Sequence, residues 1–79
     1  MTIIIDGRKF SGTPLQIVQA MQSIAFEVKR RTIGEYIDWV VDNTRSAEGV
    51  ELKVTGDNDD ERAESLVEAM ISAGLAESD

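Results

Sequence analysis

The most recognisable spacing of ligand-type side chains is Asp57, Asp59, Glu61, Ser65 and Glu68, at positions 1, 3, 5, 9 and 12 of a calcium-loop template. Alternating oxygen donors of this kind wrap a hard divalent cation. The template also needs a glycine at its sixth position for a sharp turn, and Arg62 stands there. The second half of the window carries helical apolar spacing instead. No metal site is therefore expected. The same acids are accounted for as a helix N-terminus, where the dipole favours negative charge.

Other chemistry is poorly supplied. The sequence has no histidine and no cysteine, which removes the commonest general base, the commonest transition-metal ligand and all thiol chemistry. The serines Ser11, Ser23, Ser46, Ser65, Ser72 and Ser78 have no base to activate them. Paired-carboxylate catalysis needs two acids at defined separation, one in a perturbed environment. Here Asp6 falls in a turn, Glu35 in a helix cap, and Glu64 and Glu68 on an outer helix face. The Gly12-Thr13-Pro14 turn has no phosphate-loop pattern. The expectation is a protein that is not an enzyme and takes no cofactor.

Net charge is −7, unevenly placed. Up to Ala47 there are six basic residues and five acidic ones; from Glu48 onward there are two basic and ten acidic. An acidic C-terminal element follows, presenting Glu61, Glu64 and Glu68 on one helix face. Such a face serves solubility or meets a basic partner. The opening Met1-Thr2-Ile3-Ile4-Ile5 has no basic segment before a long apolar run, and no stretch approaches membrane-spanning length. A cytoplasmic, bacterial protein without membrane contact is expected.

The elements that must carry these groups are legible in local signals. Ile3, Ile4 and Ile5 lead through Asp6-Gly7 into Arg8-Lys9-Phe10, a β-hairpin with a two-residue turn. Alternation puts Ile3, Ile5 and Phe10 on the core side and Ile4 with Lys9 on the other. Thr13, Pro14 and Gln16 form a capping box that starts a helix running to about Phe26 or Val28. Its apolar set, Ile17, Val18, Ala20, Met21, Ile24, Ala25 and Val28, covers over half the circumference. After the basic connector Lys29-Arg30-Arg31, Thr32 and Glu35 form a second box. Ile33, Tyr36, Ile37, Val40 and Thr44 then share one face, with Trp39 roughly 120° from its centre.

Val50, Leu52 and Val54 alternate with Glu51, Lys53 and Thr55 as a half-buried third strand. Asn58 or Asp57 caps a last helix with Ala63, Leu66, Val67, Met70 and Ile71 inward. Gly74 terminates it in a left-handed conformation, and Leu75 packs back on Met70. The fold class is α+β, a small ββααβα domain over residues 1–76: the hairpin and third strand make one sheet, with helices packed on one face. Residues 77–79 are expected to be a loose tail.

The stretch from Gly7 to Thr44 reads strand, helix, turn, helix, and Thr32-Ile33-Gly34-Glu35-Tyr36-Ile37 is similar to the start of the second helix of ribbon-helix-helix regulators and antitoxins. The resemblance covers under half the chain. It implies a dimer with Arg8 and Lys9 on DNA bases. The Asp6-Gly7 turn departs from that family's single-strand arm, and net charge −7 opposes phosphate contact, so nucleic acid is not the expected partner. An interaction or accessory module with a protein partner fits better. Its contact surface would join Ile4, Ile17, Met21, Ile24 and Trp39, since tryptophan is enriched at binding hot spots. Homodimerisation through a sheet edge or the first helix is a further expectation. The alternatives are the DNA-binding regulator or antitoxin, and an acidic nucleic-acid mimic that engages a basic partner.

Overall fold

The structure, a computed structural model, describes residues 1–25 and 31–79. Strands β1 (Thr2–Ile5) and β2 (Arg8–Ser11) form the hairpin, followed by helices α1 (Pro14–Ile24), α2 (Ile33–Glu48) and α3 (Asp59–Ser72), and by strand β3 (Glu77–Ser78). The three strands make one antiparallel sheet in the order β2-β1-β3.

The hairpin has the expected register. Ile5 faces Arg8, Ile4 faces Lys9, and Ile3 faces Phe10. Asp6 and Gly7 both adopt positive φ, 50° and 79°, as the tight hairpin turn requires. Ile3 is wholly buried, and Ile5 and Phe10 pack against the core. Thr2 and Ser11 share a hydroxyl hydrogen bond of 2.9 Å across the strand pair.

The helix starts follow their caps. The Thr13 hydroxyl accepts from the Gln16 N–H, and the Gln16 side chain accepts from the Thr13 N–H, at 3.1 and 2.9 Å. Thr32 and Glu35 repeat the exchange at α2. Asn58 caps α3 through the Glu61 N–H at 2.9 Å, and Glu61 reaches back to Asp57 N–H and Asn58 Nδ2. Gly74, at φ 78°, ends α3: its N–H donates to the Ile71 carbonyl and that of Leu75 to Met70, two bonds that turn the chain sharply back. α1 is assigned only to Ile24, with Ala25 extended at its cap; the expected end at Phe26 or Val28, and Lys29 and Arg30 of the basic connector, lie outside the described residues.

The third strand is where order differs from expectation. Residues 50–54 alternate as anticipated, with Leu52 buried and Val50 and Val54 packed on the core, but they join no sheet. The strand that pairs with β1 is β3, within the segment expected to be a loose tail. Ile3 faces Ser78, Ile4 faces Glu77, and the Asp79 N–H donates to the Thr2 carbonyl at 3.0 Å. With β2 on one edge of β1 and β3 on the other, no edge of β1 remains for residues 50–54. They cover part of the core instead, and the segment is tied to α3 by the Thr55 N–H donating to Ser65 Oγ at 3.0 Å.

The core gathers Ile3, Ile17, Val18, Ile37, Leu66 and Val67, all essentially inaccessible, with Tyr36, Val40, Leu52, Ala63 and Met70 around them. Each fully buried aliphatic side chain contributes about 1.5–3 kcal/mol relative to exposure. Two polar groups lock the helices. Gln22 is buried, and its amide nitrogen donates to the Arg31 carbonyl, beside the Thr32 cap of α2. Arg62 of α3 reaches α2, donating to Asp38 Oδ1 at 2.7 Å, and its guanidinium lies where a side chain at Gly34 would point.

Gly56 marks the closest backbone approach. Its φ is 139°, and a Cβ there would come within 2.7–2.9 Å of Glu61 Cβ, the Arg62 nitrogen and the Glu61 carbonyl carbon. Gly7 has positive φ too, but a Cβ there meets nothing within 4 Å. Gly56→Ala is expected to lose about 3 kcal/mol of stability to strain and clash. Gly7→Ala is expected to lose only about 1 kcal/mol, for its left-handed backbone. Urea midpoints of the two variants test this, and equal losses would contradict the close approach at Gly56.

Candidate functional site

The side chains expected to form one contact surface are divided by the fold. Ile17 is wholly buried and Met21 is 9% exposed; both belong to the core between α1 and its neighbours. For these two residues the expectation of a contact surface does not hold: they are covered by the protein itself, because α1 packs on both α3 and β2. Ile24 is 54% exposed and lies outside that buried stripe. Ile4 is half-buried on the sheet face away from the helices, between Lys9 and Glu77 on the flanking strands. It borders a depression of about 360 Å³ with Gly74, Leu75 and Ala76.

Trp39 is half-buried and packs against the core. Its ring stacks on Tyr36, with centroids 6.1 Å apart and planes 19° from parallel. Burial pushes the Tyr36 phenol up to about 12, so the ring that supports Trp39 stays neutral at physiological pH.

Glu61, Glu64 and Glu68 are exposed along α3 at helical spacing and border a groove of about 260 Å³ with Thr55, Gly56 and Ser65. Glu61 is also a capping group, so it has a structural duty that Glu64 and Glu68 lack. The basic residue of α3, Arg62, is largely covered and committed to Asp38. Carboxylates thus dominate the outer face without a neutralising partner on their own helix.

Several other polar groups have local duties. Ser23 Oγ donates to the Ala20 carbonyl, and Ser11 and Ser65 are bonded as described above. Asp42 pairs with Arg45, and Lys9 with Asp79 at 3.3 Å on the exposed sheet face. Hydrogen bonds from the Thr32 backbone N–H and then its hydroxyl hold Glu35 below the usual carboxylate range, with a smaller contribution from the Arg31 charge. In the calcium-type window, Asp59 through Glu68 are helical and Glu61 is turned into the cap. Among the described residues no group of three or more acids is placed to hold a metal ion. None of the described helices is long and apolar enough to cross a membrane.

Three features were not anticipated from sequence: the Gln22 link to Arg31, the Arg62–Asp38 pair between helices, and the placement of Thr44 at a surface opening. Each depends on two elements meeting, and no periodicity within one element signals it.

Because Trp39 is packed on the core through Tyr36, Trp39→Ala is expected to cost about 2 kcal/mol, below the range for a fully buried tryptophan. Urea unfolding followed by circular dichroism measures it. A loss under about 0.5 kcal/mol, the range of ordinary surface substitutions, would mean that the ring is not held by packing.

Comparison with protein-family models, with curated proteins and with solved structures finds no match to this chain.

Proposed function

We propose that this is a non-catalytic protein–protein interaction module, an accessory or regulatory protein of the bacterial cytoplasm whose α3 face engages a basic partner. The observation that carries the proposal is the unbroken acidity of that face. Asp60, Glu64 and Glu68 follow one another at four-residue spacing and are all exposed. Like charges at that spacing destabilise a helix by about 0.2–0.5 kcal/mol per pair, whereas interleaved lysines would stabilise it. Acidic residues also serve solubility; it is their uninterrupted alignment, at a cost to the helix, that supports a partner. Complementary charge raises encounter rates with an oppositely charged partner and makes binding salt-sensitive.

The regulator reading keeps one supporting feature: Arg8 and Lys9 are both exposed on β2. Lys9, however, is engaged by Asp79, and the net charge of −7 works against phosphate contact. DNA retardation at low salt that disappears in the Arg8→Ala, Lys9→Ala double variant would favour that reading over ours.

Glu64→Gln combined with Glu68→Gln tests the acidic face without touching the Glu61 cap. The double variant is expected to be as stable as the parent or slightly more so, because a repulsive pair is removed. In affinity capture from the source cell, the parent is expected to retain a basic protein that elutes as salt is raised and that the variant fails to retain. A partner held equally by both, or held regardless of salt, would contradict the proposal.

A further inference from the structure

Thr44 is 8% exposed on the inner face of α2, yet its hydroxyl makes no hydrogen bond within the described protein. An unpaired hydroxyl at such a position is costly if sealed from water. It is not sealed, because no enclosed side-chain polar atom lacks a partner. Thr44 lines a surface opening of about 170 Å³ between the hairpin turn and the last turns of α2 and α3. Ile5, Met70 and Leu75 supply its apolar walls. Asp6, from the hairpin turn, and Glu48, the last residue of α2, are exposed at its edge. Among the described residues no basic side chain lines it. The last turns of both helices add the negative end of their dipoles; α2 carries Arg45 there, paired with Asp42, and α3 has no basic residue in its last turn.

We infer that this opening is a binding site for a primary alkylammonium group. The walls suit a short methylene chain, the Thr44 hydroxyl oxygen accepts an ammonium N–H, and Asp6 and Glu48 supply the opposite charge. The opening, about 170 Å³ and open to solvent, has room for a chain of four carbons ending in nitrogen. The same chemistry is carried by a free alkylamine and by a lysine side chain. The site lies at the other end of α3 from Glu61 and Glu64, and it stands or falls independently of the role proposed for the acidic face.

The test is a titration of the isotopically labelled protein with n-butylammonium chloride, with Nα-acetyl-lysine methylamide and with n-butanol, at constant ionic strength, followed by amide chemical shifts. Both amines, or one of them, are expected to give saturable shifts at Ile5, Thr44, Ala47 and Leu75, with half-saturation of about millimolar, as befits a ligand of so few heavy atoms. Binding of the lysine derivative alone assigns the site to a protein-borne lysine; binding of butylammonium as well opens it to free amines. Thr44→Val is expected to abolish the shifts and to leave stability unchanged or raised, since it replaces an unpaired hydroxyl with an isosteric methyl. Glu48→Gln, at an exposed position, is expected to weaken binding severalfold and carries the test if Thr44→Val fails to fold. No saturable shift from either amine, equal shifts from n-butanol, or undiminished binding by the variants would overturn the inference.

Discussion

The pairing of β3 with β1 is the constraint on which the rest of the fold hangs. β1 is the central strand, and Ile3 within it is wholly buried. A two-stranded hairpin is marginal in water, and it gains stability both from the third strand and from the helix packed on it. That third strand can reach β1 only because α3 stops at Ser72 and Gly74 reverses the chain. The reversal also seats Ala76, 4% exposed, in the core. The sharp stop of α3 therefore fixes the sheet, the core boundary and the opening beside Thr44 together.

What was legible in the sequence was local. The Asp6-Gly7 turn, the two Thr-led capping boxes, the Asn58 cap and the Gly74 stop each depend on residues within a few positions of one another, and each forms as its chemistry requires. The inward faces of α2 and α3 follow from helical spacing for the same reason. The α+β class was legible too, but not which segment supplies the third strand. Residues 50–54 have the period of two that a half-buried strand needs, and Leu52 does turn inward. Period reports which side is buried, not which partner accepts the hydrogen bonds. The Glu77-Ser78 segment carries no pattern of its own and is a strand only because β1 offers an open edge.

The same distinction governs the candidate site. Glu61, Glu64 and Glu68 were legible as a face because a single helix carries them. The width of the apolar arc on α1 was legible as well, but whether a partner or the protein itself covers it was not. Ile17 and Met21 are covered from within, and Ile24 is left exposed. Thr44 was placed correctly on the inner face of α2, while its hydroxyl acquires meaning only from Ile5, Asp6 and Leu75, which come from distant parts of the chain. Charge shows a parallel division of labour. Arg62 and Asp38 join α3 to α2, so the positive charge of α3 is spent on packing and its outer face remains acidic.

Amide hydrogen exchange at Asp79 measures the central constraint most directly, because its N–H is bonded to the Thr2 carbonyl only while β3 lies on β1. The fold described here requires exchange slowed by at least about tenfold relative to an unstructured segment of the same sequence, reflecting an opening equilibrium rather than a free amide. Exchange at the unstructured rate, with Ile3 and its neighbours still protected, would show that β1 is held without β3 and contradict the account.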